Sequence, residues 1–123
     1  MYSVTVRGHM MIAHSLPDPF FGPAQNMHGA TYIVDATFYS PKLNEANVVI
    51  DIGLAHEHLN ATLGQLNYQN LDELPEFANQ LTTTEFLSKW IHAQLKDKLR
   101  EAFSGRIKVT LGESHVAWAS YES

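Results

Sequence analysis

The stretch HGATYIVDATFYS, residues 28–40, alternates residue by residue. Ala30, Tyr32, Val34, Ala36 and Phe38 share one side, and Thr31, Asp35 and Thr37 share the other, with Ile33 the exception. A period of two belongs to a strand with one face on a core and the other face free. A helix would scatter the same apolar residues around its axis. The pattern therefore demands a sheet covered on one side. His28 has the parity of the apolar side, and Pro41 ends the run.

The rest of the chain supplies the cover. Residues 2–13, YSVTVRGHMMIA, are rich in β-branched and large apolar residues and read as a first strand. A short apolar run, NVVIDI at 47–52, leads into GLAHEHLNATLGQL, and Asp51 helps the turn between them. There Ala55, Leu59, Leu63 and Leu66 recur at helical spacing. Residues 67–81 read as an irregular connection. Thr82 and Glu85 match a capping box, with Thr82 as N-cap. Phe86, Leu87, Trp90, Ile91, Leu95, Leu99 and Phe103 extend that helix's apolar face to about residue 103, where Ser104-Gly105 stops it. RIKVTLGE (106–113) and VAWASYE (116–122) read as a strand hairpin. The order ββααββ predicts an α+β fold, an antiparallel sheet with helices on one face.

A chain of 123 residues suits one domain spanning 1–123. The net charge of −5 gives no general attraction to phosphate backbones, so nucleic acid is not an expected partner. The absence of cysteine excludes disulfides, cysteine–zinc sites and a thiol nucleophile. MYSVTVRGHMM lacks the basic and apolar regions of a secretory leader. No apolar run reaches the roughly 20 residues of a membrane span. The expected location is the cytoplasm.

Few residues carry chemistry. His14 and His28 flank a loop rich in proline and phenylalanine between the first two strands. Adjacent antiparallel strands can bring two imidazoles onto one metal, or each histidine can end its strand with a local hydrogen bond. Glu113, in LGESH, can accept two N–H groups from a planar heterocycle, or stand solvated in a turn. His115 shares the face of Glu113 if the strand continues, but not if the chain turns, as Gly112 and Ser114 hint. Thr82, Thr83 and Thr84 precede a helix whose first N–H groups can hold a ligand acceptor, or they only cap it. His56 and His58 lie two apart, which is not the HExxH spacing, and His92 is expected to be exposed. There is no phosphate loop and no nucleophile elbow.

Six pieces in order resemble the 6-pyruvoyltetrahydropterin synthase and 6-carboxytetrahydropterin synthase family, over nearly the whole chain. IAHSL is similar to the small residue and histidine that end the family's first strand, here Ala13 and His14. MHGATY resembles HGHxY, VVIDIG resembles V-[IM]-D-F-G, and LNYQNLDE resembles LDHxxLN. TTTEF resembles PT-x-E-N, and VTLGES with AWASY resembles V-x-V-x-E-T with A-x-Y. The resemblance implies the tunnelling fold, a four-stranded antiparallel sheet with two helices on one face. It implies trimeric barrels, often stacked as hexamers, with active sites between subunits. It also implies a pterin anchored by Glu113 with backbone groups near Thr83 and Thr84. Zinc on three histidines would polarise the substrate side chain, while a cysteine and an Asp-His pair move protons.

This chain departs from that pattern at the chemistry. The third zinc histidine falls on Ala30, the cysteine on Ala24, and the Asp-His pair on Asn67 and Tyr68. Asparagine is no carboxylate, and a tyrosine near its usual pKa of about 10 is a poor base near neutrality. His115 is the candidate replacement ligand, beside His14 and His28. His9 is a weaker one, needing a bulge near Gly8 to change its parity. Tyr68 retains a hydrogen-bonding hydroxyl. The expectation is a divergent member acting on a pterin-like heterocycle by metal-assisted lyase chemistry. The alternative is a non-catalytic pteridine-binding protein on the same fold.

Overall fold

In the computed structural model, which describes residues 1–123, the alternating stretch forms β2 (His28–Ser40) at the centre of the sheet. It pairs with β1 (Tyr2–His14) without interruption, from Tyr2 opposite Ser40 to His14 opposite His28. On its other side it pairs with β4 (Arg106–Ser114), which pairs in turn with β5 (Ala117–Glu122), all antiparallel. Alternation then sorts every strand. Val6, Met10 and Ile12 of β1, Tyr32, Val34, Ala36 and Phe38 of β2, and Ile107, Val109 and Leu111 of β4 are all buried.

Helices α1 (Ile52–Gly64) and α2 (Thr84–Leu99) cover that face. Ala55, Leu59 and Leu63 of α1 and Leu87, Ile91, Leu95 and Leu99 of α2 meet the strand residues in one core. Gly8 sets how closely α1 sits on β1. A Cβ there would stand 2.7 Å from the Leu63 side chain. Asp51 caps α1 by accepting the Gly53 N–H at 2.9 Å. No helix is long and apolar enough to cross a membrane.

The structure corrects four expectations. The sheet has five strands, not four, because Gln69–Asn70 form a short β3 parallel to Ile12 and Ala13. The segment expected to be irregular is pinned to the β1 edge by three contacts. The Asn67 side chain accepts the Met11 N–H, the Tyr68 N–H donates to the Met11 carbonyl, and Leu71 is buried. Two 3₁₀ turns follow, at Leu71–Glu73 and Pro75–Phe77, and a third lies at Pro19–Gln25. The N-cap of α2 is Thr83, whose hydroxyl accepts the Phe86 N–H at 3.1 Å, because Thr82 is committed to His14. The helix ends at Leu99, and Phe103 folds back so that its ring meets Phe38 edge-on at 5.3 Å.

His92 is the fourth correction, being 5% exposed. Helix α2 lies across both β4 and β5, so its buried face is wider than the leucine stripe and takes in Ser88 and His92. The His92 Nε2–H donates to the Ser123 backbone oxygen at 3.2 Å, and the ring meets Tyr121 edge-on.

Two predictions follow from this packing. A Cβ on Gly105 would lie 2.5 Å from the Tyr39 carbonyl oxygen and 2.6 Å from the Phe103 ring. Gly105→Ala should therefore lose about 1–3 kcal/mol, read from the urea midpoint at unchanged slope. The second concerns acid. Burial holds the folded-state pKa of both His92 and His14 below the ordinary histidine value. As pH falls through about 6.5, the unfolded chain takes up protons that the folded chain refuses, so stability drops below that pH and is complete above it. His92→Gln should keep a donor to Ser123 and flatten part of the drop between pH 7.5 and 5.5. An unchanged drop in the variant would exclude His92 as a source.

Candidate functional site

The continuous pairing of β1 with β2 makes His14 and His28 direct cross-strand neighbours. Both have the parity of the helix-covered face, so both rings stand on that face at the end of the sheet. Their centroids lie 4.6 Å apart with the rings edge to face. The His28 Nδ1 lies 2.8 Å from the Asn26 carbonyl oxygen. A carbonyl only accepts, so Nδ1 carries a proton. The Nδ1 of His14 is bonded to the Thr82 hydroxyl at 2.9 Å, and His14 is 3% exposed. Burial, and then the charge of His28, push the His14 pKa down; Asp72 and the bond to Thr82 pull it back. His14 is therefore neutral at pH 7.

Glu113 arrives from the other side of the sheet. Gly112 pairs with Trp118 and Ser114 with Ala117, so Glu113 is the extra residue of a bulge. Bulges re-aim side chains beside sites. Leu111 points to the helices, and Glu113, two residues on, leans over the same edge toward the start of α2. Its carboxylate shares a cavity of about 230 Å³ with His14, His28, Thr83, Thr84 and Glu85. A second depression of about 200 Å³ shares Thr84, Glu85 and Glu113 and runs on to Trp118. Glu113 thus stands between two connected hollows.

Tyr32 and Glu85 are functional candidates that the sequence reading left among core and capping residues. Tyr32 lines the first cavity, four residues along β2 from His28 and on the same face. That shared parity was the signal available. Burial first, then Glu113 and Glu85, raise its pKa against an opposing hydrogen bond from Thr84, so the phenol keeps its proton and can donate. Glu85 was expected at the third helical position of a capping box. With Thr83 as N-cap it is one position earlier, and it lines the cavity instead.

The remaining candidates lie elsewhere. The chain turns after Ser114, and His115 lines a hollow on the opposite face of the sheet, with Arg7, Asp35 and Trp118. Tyr68 is 78% exposed at the outer edge of β1, beside Met11 and Asn70. It holds a left-handed backbone, φ 61°, as it docks its N–H on Met11. His9 faces away from His14, opposite Ile33, since the β1–β2 register has no bulge. Position 30, next along the helix-covered face from His28, is Ala30. No group of three histidine, cysteine, aspartate or glutamate side chains converges anywhere in the chain. The donor set of one chain does not fit a three-histidine zinc site, which needs three protein ligands beside an open position.

Thr82 is what holds His14 in place, since its hydroxyl is buried against Nδ1. Thr82→Val keeps the shape and removes the partner. It should cost about 1–3 kcal/mol, the penalty of an unsatisfied buried polar group, read by urea unfolding at pH 7.5. A change near zero would mean that His14 finds another partner.

Comparison with known proteins agrees with this architecture. The family model described as 6-pyruvoyl tetrahydropterin synthase matches residues 3–123. The 6-pyruvoyl tetrahydropterin synthase of Caenorhabditis elegans superposes with a TM-score of 0.86 at 18% identity, covering 99% of this chain and 95% of that one. The Plasmodium vivax enzyme of the same name gives 0.81 at 16% identity, covering 99% and 97%. An uncharacterized protein from Wolinella succinogenes gives 0.73 at 15% identity, covering 98% and 97%. Among curated proteins none matches the chain. A family match over nearly every residue, on a sheet and helices that superpose end to end, places this chain in the 6-pyruvoyl tetrahydropterin synthase family.

Proposed function

We propose that this chain binds a pterin-like planar heterocycle in the cavity between Glu113 and the histidine pair. The observation that carries the reading is that Glu113, which shares the parity of the buried Val109 and Leu111, lines that cavity together with His14, His28 and the start of α2. A carboxylate accepts two parallel N–H groups from an amino-substituted ring edge, as it does from a guanidinium. The N–H groups of Thr84 and Glu85 at the start of α2 suit a ring carbonyl, while that of Thr83 is taken by the Leu81 carbonyl. The Tyr32 phenol supplies a further donor.

The reading favours binding over metal-assisted lyase chemistry. Two histidines remain where the resemblance implies three, and Asn67 and Tyr68 stand where it implies a proton-moving pair. Tyr68 lies on the exposed β1 edge, where a neighbouring subunit would join in a homotrimer or homohexamer. The proposed site is therefore completed between subunits, with Tyr68 offered to a neighbour's pocket as a hydrogen-bonding group.

Calorimetric titration with pterin and 7,8-dihydropterin tests this. Wild-type protein should bind at least one of them. Glu113→Gln should weaken binding about 10- to 100-fold, the worth of charge-assisted hydrogen bonds. Glu122→Gln, remote from the cavity, should leave it unchanged. Equal affinities in wild type and Glu113→Gln would remove the anchor from the reading. Turnover of a 6-substituted dihydropterin by the wild type would favour the lyase.

A further inference from the structure

On the face of the sheet that the helices leave free, Ile33, Gly112 and Trp118 stand side by side, one each on β2, β4 and β5. A Cβ on Gly112 would meet Ile33 and the Ser114 carbonyl oxygen no nearer than 3.7 Å, which is ordinary contact. Gly22 is the one glycine with a positive φ, so the bulge beside Gly112 does not require a glycine either. A glycine inside a strand weakens it, and where packing and backbone do not call for it, it marks close approach by something else. The missing side chain opens a hollow of about 270 Å³. Ile33 and Trp118, 41% and 67% exposed, wall it. The Arg7–Asp35 pair lies one row along the strands, and His115 closes the hairpin end.

The polar end of the hollow is set in advance. Arg7 donates Nε–H and one Nη2–H to Asp35, at 2.7 and 2.9 Å, which fixes the guanidinium plane and leaves its Nη1–Nη2 edge without a partner in the chain. The Arg7 side chain is 58% exposed. Asp35 orients that edge and is itself neutralised by it. The free face as a whole is positive. Arg7, Arg106 and Lys108 stand there against Asp35 and Glu122, a net of +1 on a chain whose net charge is −5. An anion is favoured on this face and disfavoured by the rest of the surface.

We propose that this hollow is a second binding site, for a small aromatic carboxylate. The carboxylate pairs fork to fork with the free edge of Arg7, and the ring lies on the Gly112 backbone between Ile33 and Trp118. His115 supplies a further N–H donor at the rim. The site is independent of the heterocycle reading, because the Glu113 cavity lies on the helix-covered face and this hollow on the other.

Benzoate is the probe, followed by fluorine NMR at constant ionic strength on untagged full-length protein carrying fluorotryptophan at its two tryptophans. Trp118→Phe assigns the resonances. That of Trp118 should shift saturably with benzoate, and that of Trp90, packed on Phe77, should not. Benzamide lacks the charge and acetate lacks the ring, so each should bind at least about tenfold more weakly. Gly112→Ala fills the floor of the hollow. It should weaken benzoate about tenfold while the urea midpoint stays the same or rises. Arg7→Lys keeps the charge, loses the fork and should weaken benzoate about three- to tenfold. Glu57→Gln, exposed on α1, should change nothing.

Trp118 also borders the depression beside Glu113, so the two variants decide where the probe sits. A saturable shift that survives both Gly112→Ala and Arg7→Lys undiminished would place benzoate outside the hollow and overturn the proposal. Benzamide binding as tightly as benzoate would overturn it too, as would the lack of any saturable shift of Trp118.

Discussion

Everything at the site hangs on the register between β1 and β2. The two strands pair over their full length, so one turn of the pleat decides the fate of every side chain on them. A slip of one residue would send Val6, Met10 and Ile12 to the free face and bring Arg7, His9 and Met11 under the helices. Burying a guanidinium there would cost far more than the slip could return. Arg7 instead makes a two-pronged bond to Asp35, at 2.7 and 2.9 Å, on the free face, and the two residues are directly opposite each other. The same register places His14 opposite His28. The histidine pair is thus a by-product of core packing, fixed by hydrophobic burial well away from the imidazoles themselves.

The site is built where regular structure ends. His14 closes β1, His28 opens β2, Glu113 sits in a bulge at the end of β4, and Thr83 and Thr84 begin α2. Strand ends and helix starts have unpaired polar groups that face a ligand without breaking a ladder. The core behind them holds the geometry: Val34, Leu87 and Leu111 are essentially inaccessible. A rigid platform with its polar groups at one rim suits recognition of a flat molecule, since little ordering remains to be done on binding.

Membership of the family and a changed set of residues at the site are compatible because they rest on different residues. The fold depends on alternation, on the apolar stripes of two helices and on small residues such as Gly8 and Gly105 that permit close approach. Identities of 15 to 18% are enough to keep those. The positions to which the resemblance gives metal binding and proton transfer are single side chains, and here they read Ala30, Ala24, Asn67 and Tyr68. Function lives in the site and can diverge while the frame stays.

Local pattern determined most of the frame. The alternation at 28–40 dictates β2 to the residue, and the helical spacing of Ala55, Leu59 and Leu63 dictates α1. These signals are local because a strand or helix buries one face at a fixed period whatever lies opposite. Tertiary structure alone decided the rest. Thr82 left the helix cap because His14, distant in sequence, takes its hydroxyl. His92 went inside because α2 spans two strands. Residues 69–70 became a strand only because the β1 edge was there to pair with. His115 left the Glu113 face because the bulge and turn interrupt the alternation on which parity depends. Each is a contact between distant segments, and no period within one segment encodes it.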